Sequence, residues 1–328
     1  MTSQAKTETL KAFVADIAAC RPERIEIIAP QSNDPGAINY RAMCEEVGLK
    51  AMPHLAVIDG AVDGPHVLKS GRRGLGAYFP ALDVIVLLRP FYESLAHKDS
   101  YVGQYIPAHE IGHAYECSIR DPEIDARRKF LASLLAGVAA FAATGVTAHE
   151  VSNRSDITDP KKWEAMDIPP WIMAIAAGRK SYSGVNNIAG KVIERHAEFA
   201  ADKHAGTIIG VENAVNGIFE QMMKSSLGIE RQLLAKQYVE FGEKLQQALS
   251  KTSPDTSLTE TEKEYLFILY YAKKTALPLN APRYLLGDLY PTHEERIVRL
   301  SSDDASPEGQ RRKALLEQLN SNEPSIRR

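Results

Sequence analysis

Cysteine is scarce in this chain. Cys20, Cys44 and Cys117 are the three in 328 residues, odd in number and far apart. That excludes a disulfide framework as the basis of the fold and suits a reducing compartment, and no C-x-x-C pair offers a thiolate metal clip. An excess of one charge is lacking too: 39 basic residues stand against 42 acidic, a formal net charge of −3, with no long block of either sign. The electrostatic footprint of a nucleic-acid surface is missing, so no nucleic-acid partner is expected. The opening stretch MTSQAKTETLKAFVADIAAC carries Lys6, Glu8, Lys11 and Asp16 where a secretory signal needs an unbroken apolar core. An amphipathic helix and a cytoplasmic chain are expected.

Long hydrophobic runs are also few. The stretch 130–148, FLASLLAGVAAFAATGVTA, follows a basic RRK and at ~19 residues is long enough to cross a bilayer. The other candidate, IPPWIMAIAAG from Ile168, is about 11 residues and too short. If residues on both sides of this region share one metal, the chain between them crosses the membrane an even number of times. The region 130–178 is therefore expected to form a buried or surface-lying helix pair. A membrane hairpin is the alternative, and a single span is disfavoured.

What the chain does hold is an ordinary globular share of apolar residues, 44%, and enough length for one large core or two smaller ones. Helical spacing occupies residues 7–20, and RIEIIAP reads as a short strand before the turn-rich QSNDPGAIN. A helix follows from about Tyr40 through Gly48, then a strand in HLAVIDG, then a β-branched strand at 83–88, DVIVLL. Helix resumes in FYESLAHK and again past Gly210, with a polar linker at SKTSPDTSLTETEKE. From Ser301 the chain is charged and rich in Ser and Asn, so 301–328 is expected to be a flexible tail. The fold class is α+β, mainly helical with a small sheet.

The chemistry concentrates in YIPAHEIGHAYE, where His109-Glu110-Ile111-Gly112-His113 is an H-E-x-x-H pattern. Residues four apart on a helix stand one above the other, about 5–6 Å between Cβ atoms, so His109 and His113 can converge on one ion. Glu110 lies about 100° round the helix from His109, off the ligand axis, where a general base acting on a metal-activated water belongs. The positions three and six after His113 hold Glu116 and Ile119, which excludes the metzincin arrangement. A carboxylate from a separate helix is the other way to complete the site. IERHAEFAADKHAG offers Glu198 and Asp202, four apart, one able to bind metal while the other accepts the second ring proton of a ligand histidine. The competing reading of that helix is a solvated charged face. His196 and His204 fall on other faces and read as surface histidines, His204 at best a reserve ligand.

Taken together these segments resemble the HtpX and CAAX prenyl protease family of zinc metallopeptidases, which are glutamate-ligand zincins, over about residues 40–300. CEEVGLKAMPHLAVID and DVIVLLRPFYESL resemble the segments before its active site, and RHAEFAAD matches its R-x-x-E-x-x-A-D pattern at Arg195, Glu198, Ala201 and Asp202. YPTHEERIVRL resembles its H-P-x-x-E-E-R-I segment at Pro291, Glu294, Glu295, Arg296 and Ile297. The resemblance implies a zincin-type fold with the sheet beside the active-site helix, and one zinc ion held by His109, His113 and Glu198. Glu110 is then the base, with Asp202 and Arg195 supporting the ligands from behind. It divides the chain into an N-terminal lead-in at 1–34, a catalytic part at 35–225 containing the insert 130–178, a completing helical part at 226–300 and the tail.

Three departures stand out. Tyr290 replaces the family's usual histidine, so oxyanion support falls to the Tyr290 hydroxyl or to His293. Pro107 cannot donate to the Gly103 carbonyl, so the helix either starts near Pro107 or bends there. The two membrane spans that HtpX carries ahead of its catalytic domain have no counterpart in this sequence, so a shortened relative at most is expected. The expected activity is zinc-dependent endopeptidase cleavage of a protein or peptide, with an extended substrate adding to the edge of the strand 83–88. The alternative is a catalytically silent zinc-containing binding or chaperone-like protein, and an aminopeptidase ranks last.

Overall fold

Short β-branched runs and well-capped helices account for the local structure, which a computed structural model describes for residues 3–18, 20–29, 31–59, 76–119, 130, 134, 137–140, 142, 194–226, 228–252, 258–276 and 291–321. The chain divides into two units. One comprises Met1–Ile119, Ala197–Pro278 and Pro291–Arg328, the other Arg120–His196 and Leu279–Tyr290.

The first unit is α+β. Strands β1 (Ile25–Ile28), β2 (His54–Ile58), β3 (Gly76–Phe79) and β4 (Val84–Leu88) form one sheet in the order β1-β2-β4-β3. The β2–β4 pair is parallel and the outer pairs are antiparallel, with Gly76 opposite Leu87 in the β3–β4 register. This corrects the expectation that the strand at 83–88 offers a free edge. Every residue of β4 is buried, and both its sides are paired. A continuous apolar run without alternation is the signature of a strand covered on both faces, which belongs in the interior of a sheet. The border strand is β3, which the sequence reading did not anticipate; among the described residues no strand pairs with its outer side.

One face of the sheet is covered by α1 (Ser3–Ile17), which buries Leu10 and Val14 and sets Phe13 edge-on against Phe79 of β3, centroids 5.9 Å apart. The next helix, α2 (Pro35–Glu46), begins at Pro35 rather than near Tyr40. The Asp34 side chain accepts from the Gly36 and Ala37 N–H groups at 2.9 and 3.4 Å, and Pro35 occupies a first-turn position where no N–H is needed. Helix α3 (Arg89–His97) leads straight from β4 and ends at Lys98 in the left-handed region, φ 53°.

Helix α4 (Tyr101–Ile119) runs through Pro107, so the option of a start at Pro107 is excluded. Its N-terminus is fixed by Glu220, which accepts from the Val102 N–H at 2.9 Å and from the Ser100 hydroxyl at 3.0 Å. Gly103 serves a close helix crossing, because a Cβ there would collide with Ser94 of α3. The helix at 194–209, α5, turns at Gly210, φ 85°, into α6 (Val211–Ser225). Helices α7 (Gly228–Thr252), α8 (Glu260–Thr275), α9 (His293–Ser302) and α10 (Pro307–Ser321) follow.

Helix α10 corrects the expectation of a flexible tail from Ser301. Ser306 accepts from the Gly309 N–H at 2.9 Å, Pro307 opens the first turn, Leu316 and Leu319 are buried, and Arg312 reaches Glu212 of α6 at 2.7 Å. The polar composition masked a narrow apolar stripe, enough to dock a helix once a core exists. Among the described residues no helix is long and apolar enough to cross a membrane. The readings of 130–178 fall almost wholly outside the described residues.

Candidate metal centre

His109 and His113 stand on α4, and Glu198 comes from α5. One ligand atom from each lies within 4.8 Å of the other two. The two Nε2 atoms are 3.1 Å apart, His109 Nε2 is 3.3 Å from Glu198 Oε2, and His113 Nε2 is 3.5 Å from Glu198 Oε1. The helices can come this close because α4 carries glycine between the histidines. A Cβ on Gly112 would sit 2.8 Å from both Cα and O of Ala201. It is thus the backbone of Ala201, the neighbour of Asp202, that packs into the space Gly112 leaves.

Behind these three side chains is a buried polar network. Asp202 Oδ1 lies 3.0 Å from His109 Nδ1. An Nδ1–H donated there leaves the Nε2 lone pair facing the other two ligand groups. Asp202 Oδ1 also accepts from the Tyr105 hydroxyl at 2.6 Å. Arg296 of α9 donates through Nε to Asp202 Oδ2 at 2.8 Å and through Nη2 to Oδ1 at 2.6 Å. The same Nη2 donates to the Tyr105 hydroxyl. All four side chains are buried. Tyr105 is held in turn by α6, where a Cβ on Gly217 would overlap its ring and reach the Tyr101 carbonyl at 3.0 Å.

Burial works against the Asp202 carboxylate, but the Arg296 guanidinium and its hydrogen bonds win, holding the carboxyl well below its usual range. Glu198 is likewise held low: burial opposes ionisation, and the His109 and His113 imidazoles overcome it. For His109 burial favours the neutral ring, yet the two carboxylates hold its imidazolium up, to about 9. A divalent cation entering this cluster has to displace that proton. The donor set fits such an ion. Glu198 Oε2 is buried with no hydrogen-bond partner, although His109 Nε2 lies nearby, and a pair of imidazoles with a carboxylate is a nitrogen and oxygen set that zinc accepts.

Glu110 is buried beside this cluster, and the border strand β3 passes over it: a Cβ on Gly76 would lie 3.3 Å from Glu110 Cγ. His293 occupies the first turn of α9, one turn before Arg296. Burial, and then the Arg296 charge, hold its imidazole below the ordinary histidine value. Tyr290 lies outside the described residues. Arg195 is buried at the start of α5, in the second unit, and His196 is exposed. His204 stays out of the cluster: its Nε2 is 3.0 Å from Glu116 Oε1 and its ring packs on Tyr115.

The sequence reading missed two members of the network. Tyr105 precedes His109 by four residues and so shares its helix face, a signal that spacing alone carried. Arg296 lies within HEERI, a segment whose local pattern carries no sign of its distant partner. A capping box places it, in which Thr292 Oγ1 accepts from the Glu295 N–H at 3.3 Å while Glu295 accepts from the Thr292 N–H at 3.0 Å. Comparison with protein-family models, with curated proteins and with solved structures gives no match to this chain.

Proposed function

We propose that this chain is a zinc-dependent endopeptidase of the glutamate-ligand zincin type, akin to the HtpX and CAAX prenyl protease family. The observation that carries the reading is the convergence of His109, His113 and Glu198 from two helices, with a buried glutamate, Glu110, next in sequence to the first ligand. In such a site bound zinc supplies Lewis acidity toward the scissile carbonyl and toward water.

The chain's own residues do the rest. Asp202, pinned by Arg296 and Tyr105, fixes the ring of His109 with Nε2 forward. Glu110, off the ligand axis, takes a proton from the attacking water on its carboxylate and returns it to the leaving amine, help of a kind that contributes typically about 10²–10⁴-fold. A neutral His293 at the start of α9 is a hydrogen-bond donor for the oxyanion, with the Tyr290 hydroxyl as the alternative. The outer side of β3 accepts an extended substrate through backbone hydrogen bonds, which gives affinity with little sequence choice.

Cleavage of an unfolded protein tests this. Activity that a chelator abolishes and added zinc restores supports the reading. Cleavage indifferent to chelation, or none with zinc bound, contradicts it.

A further inference from the structure

We propose that Gly76 is a positioning residue: its missing side chain sets the spacing between the border strand β3 and the α4 face that carries Glu110. The inference rests on the peptidase reading and goes beyond it, since neither the ligand set nor the base requires anything of residue 76.

Space is what residue 76 lacks. A Cβ built on Gly76 lies 2.8 Å from Ile106 Cγ2, 3.1 Å from Leu87 Cδ2 and 3.3 Å from Glu110 Cγ. Contacts below about 3 Å are not tolerated in close-packed interiors, so something has to move. Leu87 is the ladder partner of Gly76 and is fully buried within β4. Ile106 is buried, β-branched and stiff about its first torsion. It precedes Glu110 by four residues and shares its helix face. Either the strand retreats from the helix, or Ile106 turns into the place of Glu110. Both change where the Glu110 carboxylate stands relative to a substrate held on β3. Gly76 does not have a positive φ, so backbone strain is not the reason for glycine here. Close approach is.

Gly76→Ala tests this, read against Gly242→Ala, a glycine with no atom near its Cβ position. Gly76→Ala is expected to lower kcat about 10-fold to 100-fold, with KM and bound zinc close to wild type. In protein labelled at isoleucine methyls, the Ile106 resonances shift. Gly242→Ala changes neither. Adding Ile106→Leu, which keeps the volume and removes Cγ2, restores much of the kcat lost by Gly76→Ala.

A Gly76→Ala enzyme with wild-type kcat overturns the proposal, as does a loss that follows zinc content or unfolding, or an unmoved Ile106 signal. If wild type itself cleaves nothing, the peptidase reading falls, and the methyl resonances still decide whether Gly76 sets this contact.

Discussion

Arg296 grips both carboxylate oxygens of Asp202, at 2.8 and 2.6 Å, across 94 positions of sequence. The pair is buried, carries Tyr105 and His109 with it, and ties α9 to α5 behind the candidate ligands. Removing one partner of a buried ion pair leaves the other uncompensated, which costs about 3–5 kcal/mol. Arg296→Met is expected to lower unfolding free energy by that order in denaturant titrations. A loss under about 1 kcal/mol would show that the pair is not the anchor described.

Asp202→Asn keeps the shape of the side chain and removes its charge. Groups that orient a metal-binding histidine from behind are worth about 10–100-fold in metal affinity. Zinc titration against a competing chelator should show a loss of that order with the helical content unchanged. Affinity equal to wild type would leave Asp202 a purely structural partner of Arg296.

The cap of α2 gives a pH-dependent prediction. The Tyr92 hydroxyl foremost, then the Ala37 and Gly36 N–H groups, hold the Asp34 carboxyl below its usual value. The folded value thus lies below the unfolded one, near 3.9 for a free aspartate by rough reference. The stabilisation is complete above that unfolded value and is lost as pH falls through the lower folded value. Asp34→Ala should cost about 1 kcal/mol at neutral pH. The gap from wild type should close progressively below about pH 4. A deficit that stays constant from neutral to acid pH would contradict the assignment.

The C-terminal helix is part of the folded unit. Leu316 and Leu319 are buried, and the Arg312 guanidinium lies 4.5 Å from the centre of the Tyr265 ring. Leu316→Ala should destabilise by about 2–3 kcal/mol, and amides of 307–321 should resist hydrogen exchange beyond the level of a frayed terminus. Exchange at the rate of an unfolded peptide would restore the flexible tail.

The helices that carry the candidate ligands were legible because residues able to share one ion must keep a fixed spacing. His109 and His113 four apart, and Glu198 and Asp202 four apart, encode faces that any α-helix preserves. Strand β4 was legible as a strand, but its place in the sheet was not, since an apolar run names its burial and not its neighbours. The border strand β3 escaped notice because Gly76-Ala77-Tyr78-Phe79 is short and opens with glycine, whose value lies in contacts with Ile106 and Glu110 that no local pattern records. The bond between Arg296 and Asp202 was invisible for a related reason: it joins residues far apart in sequence. Helix α10 was hidden by its charges, which lie on the solvent side of a stripe formed by Leu316 and Leu319.

The most direct test of the central claim compares wild type with Glu110→Gln, both loaded with zinc, for cleavage of an unfolded protein and for bound metal. Equal zinc, one ion per chain, is expected in both, with cleavage by wild type and loss of practical turnover in Glu110→Gln. Equal zinc with no cleavage by either would point to a catalytically silent zinc-containing binding protein, and no zinc in either would contradict the metal centre itself.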